Sequence, residues 1–251
     1  MTSAPLRQLG RLLGLLLISL LALQLYFVAR IALMAVIDPQ STSFQRSEAW
    51  RLLNEKGRIE WSQQWVSDER IAANLKRAVI ASEDAGFTEH GGVEWDAIER
   101  AWERNQRAET QAEKRNHLAA PGTRPRIEPK VVGGSTITQQ LAKNLFLSGE
   151  RTPLRKAEEF VLTFALEACL GKRRILEIYL NNVEWGEGLF GAQAAARHYY
   201  RVDAVQLGAF PAARLAVMLP APKRFEKRPG SPYVNGRAAT VVARMGAVEP
   251  P

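Results

Sequence analysis

From Leu12 to Ala29 the chain carries no charge, and only Ser19 and Gln24 interrupt a run of apolar and small residues. Eighteen residues in a helix span about 27 Å, close to the thickness of a bilayer's hydrocarbon layer. A membrane-crossing helix is therefore the structure this segment points to. Arg7 and Arg11 precede the run, so the positive-inside rule places the N-terminus in the cytoplasm and the rest of the chain outside. A cleaved signal peptide is the alternative, but the run is long and no small-x-small site ends it. After Arg30 the apolar residues resume as far as Ile37. Arg30 is expected to snorkel to the far interface, with residues 31–37 lying along the membrane surface. The expected division is a cytoplasmic stretch at 1–11, an anchor with its interfacial segment at 12–37, a linker or membrane-proximal region at 38–64 and one folded domain over 65–251.

The net charge of +8 suits an anionic partner, whether nucleic acid, lipid headgroups or a phosphorylated substrate. Nucleic acid finds no support, because no helix-turn-helix and no aromatic-basic strand motif is present. Neither a Walker loop nor a G-x-G-x-x-G turn occurs, which removes a nucleotide-binding fold. The three histidines, His90, His117 and His198, show no metal-ligand spacing. One cysteine, Cys169, excludes an internal disulfide and reads as a buried inert thiol.

Beyond Ser47 the periodicity is helical almost throughout, with little strand texture. Helices are predicted at 68–84, 94–107, 136–147, 153–170, 172–181, 189–199, 203–207, 211–218 and 234–245. Residues 106–130 are rich in charge, alanine and proline without helical apolar spacing, and read as a mobile insertion.

Three constellations carry chemistry. On the first predicted helix Leu75, Val79 and Glu83 fall at i, i+4 and i+8, so Glu83 continues an apolar face at the helix's negative end. Lost solvation and the helix dipole both raise a carboxyl pKa, as a general base near neutrality needs; a helix-capping carboxylate is the other reading. Second, Gly133-Gly134-Ser135 leads into a helix with Ser135 as its expected cap. Ile137, Leu141 and Leu145 form its buried stripe, while Thr136, Gln140, Lys143 and Asn144 lie on another face. Such a helix start is apt for phosphate, or is simply a capped amphipathic helix. Third, Thr152 caps a helix with Pro153 in its first turn, and Arg155 and Lys156 stand four and three residues before Glu159. Surface ion pairing is the ordinary meaning, but a carboxylate among cations can also orient them.

Together these segments resemble the family 51 glycosyltransferases: E-D-x-x-F-x-x-H-x-G at Glu83–Gly92, G-G-S-T-I-T-Q-Q-L-x-K-N at Gly133–Asn144, and R-K-x-x-E at Arg155–Glu159. K-x-x-I-L-x-x-Y-L-N at Lys172–Asn181 and R-x-x-x-V-x-x-x-M at Arg237–Met245 follow in order. The resemblance implies a mainly α, lysozyme-like glycosyltransferase domain with a large lobe and a smaller membrane-facing lobe. It implies a peptidoglycan polymerase of the monofunctional type, since no transpeptidase region follows Pro251. The substrates would be lipid II and the growing lipid-linked glycan, at the outer side of the bacterial inner membrane, and other cell-wall proteins are possible partners.

By the same resemblance Glu83 is the base toward the acceptor 4-hydroxyl and Glu159 the second essential carboxylate. Lys143, Arg151, Arg155 and Lys156 would neutralise the pyrophosphate, and Ser135, Gln139, Gln140 and Asn144 would line the donor side. Asp84 and Phe87 are carried over as substrate-binding positions. No cofactor is required, although a divalent cation (Mg or Mn) helps some relatives and makes Asp84 a candidate ligand. Glu94 stands where the family usually has Asp, and 106–130 is longer than the usual connection. A lytic transglycosylase and an inactive scaffold are the rival functions. The pyrophosphate-type cations argue against the first and the intact carboxylates against the second.

Overall fold

The computed structural model describes residues 3–118, 128, 133–150 and 152–251. The chain is mainly helical, as expected. Helix α1 (Ser3–Leu33) holds the apolar run, and none of its most apolar window is buried against the rest of the protein. It is long and apolar enough to cross a membrane. Contrary to the expected break at Arg30, α1 continues without interruption to Leu33, because Ile31 (fully buried) and Met34 pack against the domain core rather than on a membrane surface.

Residues 38–64 are not a linker. Thr42 and Gln45 form a reciprocal capping box that starts helix α2 (Ser43–Lys56), and Gly57 ends it in the left-handed conformation. Gln45 donates to Asn182 Oδ1 at 3.3 Å, and buried Glu48 takes Lys223 at 2.6 Å, so α2 is fastened to the domain. After a short strand β1 (Ser62–Gln63) and a 3-10 turn at Asp68–Arg70, helix α3 runs Ala73–Glu83. The predicted single helix at 68–84 is thus split, with Ile71 in extended backbone between the two parts.

Helix α4 spans Trp95–Leu118, well past its expected end at 107. Residues 106–118, expected to be insertion loop, are rich in Ala, Glu, Gln, Arg and Lys. Their intrinsic helix propensity suffices without an apolar face. The remainder of that expected insertion, 119–127 and 129–130, lies outside the described residues.

Helices α5 (Ile137–Phe146), α6 (Pro153–Cys169) and α7 (Lys172–Asn182) follow close to their predicted limits. Strands β2 (Glu184–Gly186) and β3 (Leu189–Phe190) make a small sheet in the order β1-β3-β2, parallel then antiparallel. The sequence hid these pieces, since each is only two or three residues long. Helix α8 (Ala192–Tyr200) leads through a 3-10 turn to α9 (Ala209–Met218), α10 (Pro222–Phe225) and α11 (Pro232–Met245).

The core lies where α3 meets α9 and α11, and where α5 packs on α6 and α7. Leu75 and Val79 of α3, and Val241 and Met245 of α11, are buried in it. Helix α6 buries Glu159, Leu162, Thr163 and Leu166, leaving Phe164 and Ala168 of its apolar face exposed. Cys169 is half-buried rather than buried.

Candidate active site

The N-terminus of α5 separates two cavities. The cap is Thr136, one residue later than expected. Its hydroxyl accepts from the Gln139 amide at 3.2 Å, while Gln139 Oε1 accepts from the Thr136 amide at 3.0 Å. The Thr136 hydroxyl also donates to the Gly92 carbonyl at 2.6 Å, tying α5 to the turn after α3. Ser135, freed from capping, is instead reached by Lys156 Nζ at 3.4 Å. Gly134 is needed because a Cβ there would come within 2.9 Å of the Ala97 carbonyl on α4.

On one side Glu83, the last residue of α3, borders a cavity of about 170 Å³ together with Glu94, Arg104, Gly134, Ser135 and Thr136. Gln140 Nε2 donates to Glu83 Oε2 at 3.1 Å, and the Tyr179 hydroxyl donates to Gln140 Oε1 at 2.9 Å. Tyr179 is fully buried, and burial together with the charges of Glu83 and Asp84 pushes its pKa well above the usual value, so the hydroxyl remains a donor. Burial also raises the Glu83 pKa, opposed by the Gln140 hydrogen bond and reinforced by neighbouring Asp84. No cation is among the causes of this shift, in keeping with the apolar face that Leu75 and Val79 begin.

Asp84 also borders this cavity, but both of its carboxylate oxygens are committed within the protein. Its side chain is fully buried, with Oδ1 taking His90 Nε2 at 2.8 Å and Oδ2 accepting the Ile137 amide at 3.0 Å. Since His90 Nδ1 accepts from the Gly92 amide at 3.1 Å, the ring proton sits on Nε2 and points at Asp84. Asp84 thus clamps the first turn of α5 at the edge of the Glu83 cavity. Phe87, expected to contact substrate, is instead fully buried in the core with Lys172 Nζ 4.6 Å from its ring centroid. Lys172 also donates to the His90 carbonyl at 2.7 Å and to Glu167 at 2.8 Å, pinning the whole Glu83–Gly92 turn. Gly92 closes that turn at φ +91°, where a Cβ would strike Thr163 and Glu167.

On the other side of α5 is a cavity of about 300 Å³ lined by Ser135, Gln139, Gln140, Lys143, Asn144, Arg155, Lys156 and Glu159, with Phe44 of α2. Glu159 is buried. Arg155 Nη1 meets its Oε2 at 3.0 Å and Lys156 Nζ pairs with Oε1, realising the one-turn spacing seen in the sequence. Among the described residues, Gln139 Nε2 and Arg155 Nε are buried with no hydrogen-bond partner. Arg151, grouped with these cations by the sequence, lies outside the described residues.

The two carboxylates therefore sit in opposite surroundings on either side of one helix start, with Ser135 in both walls. Phe44, Arg104 and Tyr179 were not singled out by the sequence. Only Tyr179 had a signal, its place in the Lys172–Asn181 motif, and its bond to Gln140 spans 39 residues.

The transglycosylase family profile matches residues 51–114 and 119–246. Two relatives, from Burkholderia thailandensis and Burkholderia pseudomallei, are each 52% identical over 231 residues, covering 92% of this chain and 83% of theirs. A third, from Burkholderia vietnamiensis, is 50% identical over 92% of this chain and 86% of its own. All three carry the name biosynthetic peptidoglycan transglycosylase. The chain belongs to the transglycosylase family, whose members are peptidoglycan glycosyltransferases.

Proposed function

We propose that the chain extends glycan strands by joining the lipid-pyrophosphate-linked glycan to the next lipid II, with Glu83 as base and the Lys143–Arg155–Lys156 cavity holding the pyrophosphate. The observation that carries this reading is the division at α5, with a carboxylate of raised pKa facing one cavity and a cation-lined cavity on the far side. The acceptor's 4-hydroxyl would lie against Glu83, which takes its proton as the oxygen attacks the donor's anomeric carbon. The bond to the pyrophosphate oxygen breaks, the configuration inverts to β-1,4, and negative charge grows on the leaving group. Lys143, Arg155 and Lys156, with Arg151 by sequence, neutralise that charge. Glu159 holds Arg155 and Lys156 in place and keeps the pocket from being an unbalanced cluster of cations.

This step needs no cofactor, because side-chain cations do the work a metal would do. A divalent ion would find its donors in Asp84, His90 and Glu94, whose ligand atoms lie within 4.8 Å of one another. Asp84 already commits both oxygens within the protein, so no step is assigned to such an ion. Helix α1 is read as spanning the inner membrane with Arg7 and Arg11 on the cytoplasmic side, which places the catalytic domain beside its lipid-borne substrate.

The test is polymerisation of labelled lipid II by the full chain in detergent, comparing wild type with Glu83→Gln. Polymer from the wild type alone supports the assignment. Equal polymer from both removes Glu83 as base, and degradation of preformed glycan without synthesis gives the reaction to the lytic class.

A further inference from the structure

A third cavity, about 300 Å³, lies where α1 leaves its apolar stretch and the chain turns toward α2. Leu33, Met34 and Ile37 line it together with Arg30 and Arg46. Arg30 rests on two rings, 5.2 Å from the centroid of Phe146 and 5.7 Å from that of Tyr26. Arg46 reaches only the hydroxyls of Ser41 at 3.1 Å and Ser43 at 3.0 Å and the Ser41 carbonyl at 3.4 Å. The one carboxylate lining the cavity, Asp38, is engaged by Arg174 at 2.7 Å, and Arg174 also holds the Met34 carbonyl. Among the described residues neither Arg30 nor Arg46 meets a carboxylate.

Two arginines bordering one cavity, whose lining carboxylate Asp38 is already paired with Arg174, favour an anion there. The position along the chain says what kind. With α1 in the bilayer, its apolar stretch ends at this level, where lipid phosphates lie, and the exposed Leu25 and Val28 offer apolar contact for acyl chains on the bilayer side of Arg30. We propose that Arg30 and Arg46 form a binding site for the phosphate of an anionic bilayer phospholipid. The site is separate from the catalytic cavities, though Arg30's ring partner Phe146 is the last residue of α5, next to cavity-lining Leu147. A bound lipid would fix the height and tilt at which the catalytic domain rides on the membrane.

The inference rests on α1 being embedded in the membrane, which resistance of the full chain to carbonate extraction from membranes checks by itself. The site is tested by native mass spectrometry of the detergent-purified full chain with dioleoylphosphatidylglycerol or dioleoylphosphatidylcholine. The wild type should retain the phosphatidylglycerol over the phosphatidylcholine. The double variant Arg30→Gln, Arg46→Gln should bind it at least tenfold more weakly, and Arg30→Lys, Arg46→Lys should recover most of the binding. Unchanged melting temperatures would show that the variants fold, and polymerisation in detergent should stay within twofold of wild type. Equal retention of both lipids, or retention indifferent to the double substitution, overturns the site. Displacement by farnesyl pyrophosphate but not by inorganic phosphate would give the site to the polyprenyl product and overturn its assignment to a bilayer lipid.

Discussion

Tyr179→Phe removes one buried oxygen that lies outside both cavities' linings, and its consequence should appear in the pH dependence of catalysis. The hydroxyl donates to Gln140 Oε1, which leaves Gln140 Nε2 facing Glu83. Without that donor the amide can turn over, presenting its oxygen to the carboxylate and raising the Glu83 pKa further. A hydrogen bond to an ionised acceptor contributes about 1.5–3 kcal/mol. An amide correctly oriented only part of the time forfeits roughly half of that, about 0.8–1.5 kcal/mol, equivalent to about a four- to thirteenfold loss of ionised base. A base must be unprotonated to act, so the loss applies on the acidic side of the profile and vanishes on the plateau. The assay is kcat/KM for lipid II polymerisation across pH in wild type and variant, with the melting temperature as a folding control. A uniform fall at every pH, with the acid limb unmoved, would refute the claim that Tyr179 acts through Gln140 on Glu83.

The two active-site carboxylates should respond oppositely when made neutral. Glu83→Gln should lower kcat by at least about a hundredfold, the scale of general-base catalysis. It should also raise the melting temperature at pH 8, because the native pKa lies above the unfolded one and ionisation in the folded state is unfavourable. Glu159→Gln should abolish polymerisation and destabilise the fold by about 3 kcal/mol, leaving Arg155 and Lys156 without their shared anion; a melting temperature equal to or above wild type would contradict this. Glu184, buried with Oε1 unbonded and Lys223 at 3.6 Å, has its pKa raised by burial from 4.5 to about 7. Its favourable contribution is therefore complete below about pH 4.5 and fades as pH rises through 7. Relative to Glu184→Gln, wild type should lose roughly 3 kcal/mol over that window by thermal or urea unfolding. A pH-independent difference would show that Glu184 titrates normally.

Those features that repeat within one helix were open to reading. Leu75, Val79 and Glu83 share a face, Thr152 and Pro153 start α6, and Arg155, Lys156 and Glu159 meet one turn apart. Each follows from the 3.6-residue period, which needs no tertiary information. The start of α5 was legible to within one residue, but Ser135 and Thr136 are both able caps. The choice fell to Thr136 because Gln139, three residues on, completes its box and the Gly92 carbonyl takes its hydroxyl. Helix α2 was overlooked for the opposite reason. Its buried side chains include Gln45 and Glu48, so no apolar stripe marks a helix that is held by polar contacts.

What the sequence could not order is the chain of contacts that gives each carboxylate its character. Glu83 meets Gln140 across 57 residues, Gln140 meets Tyr179 across 39, and Asp84 meets the Ile137 amide across 53. The family resemblance carried over Asp84 and Phe87 as contacts for substrate, yet burial makes both of them parts of the frame, Asp84 at the edge of the Glu83 cavity. Asp84 fixes the first turn of α5 and Phe87 fills the core beneath the turn that carries Glu83. The same helix start thereby sets both halves of the chemistry. Its Gln140 tunes the base, its Gln139 and Lys143 face the cation-lined cavity, and its cap is bonded to the turn after Glu83. A shift of α5 would move base and leaving-group site together, which is why the contacts that hold it at Asp84, Gly92 and Tyr179 matter as much to the reaction as the groups that touch substrate.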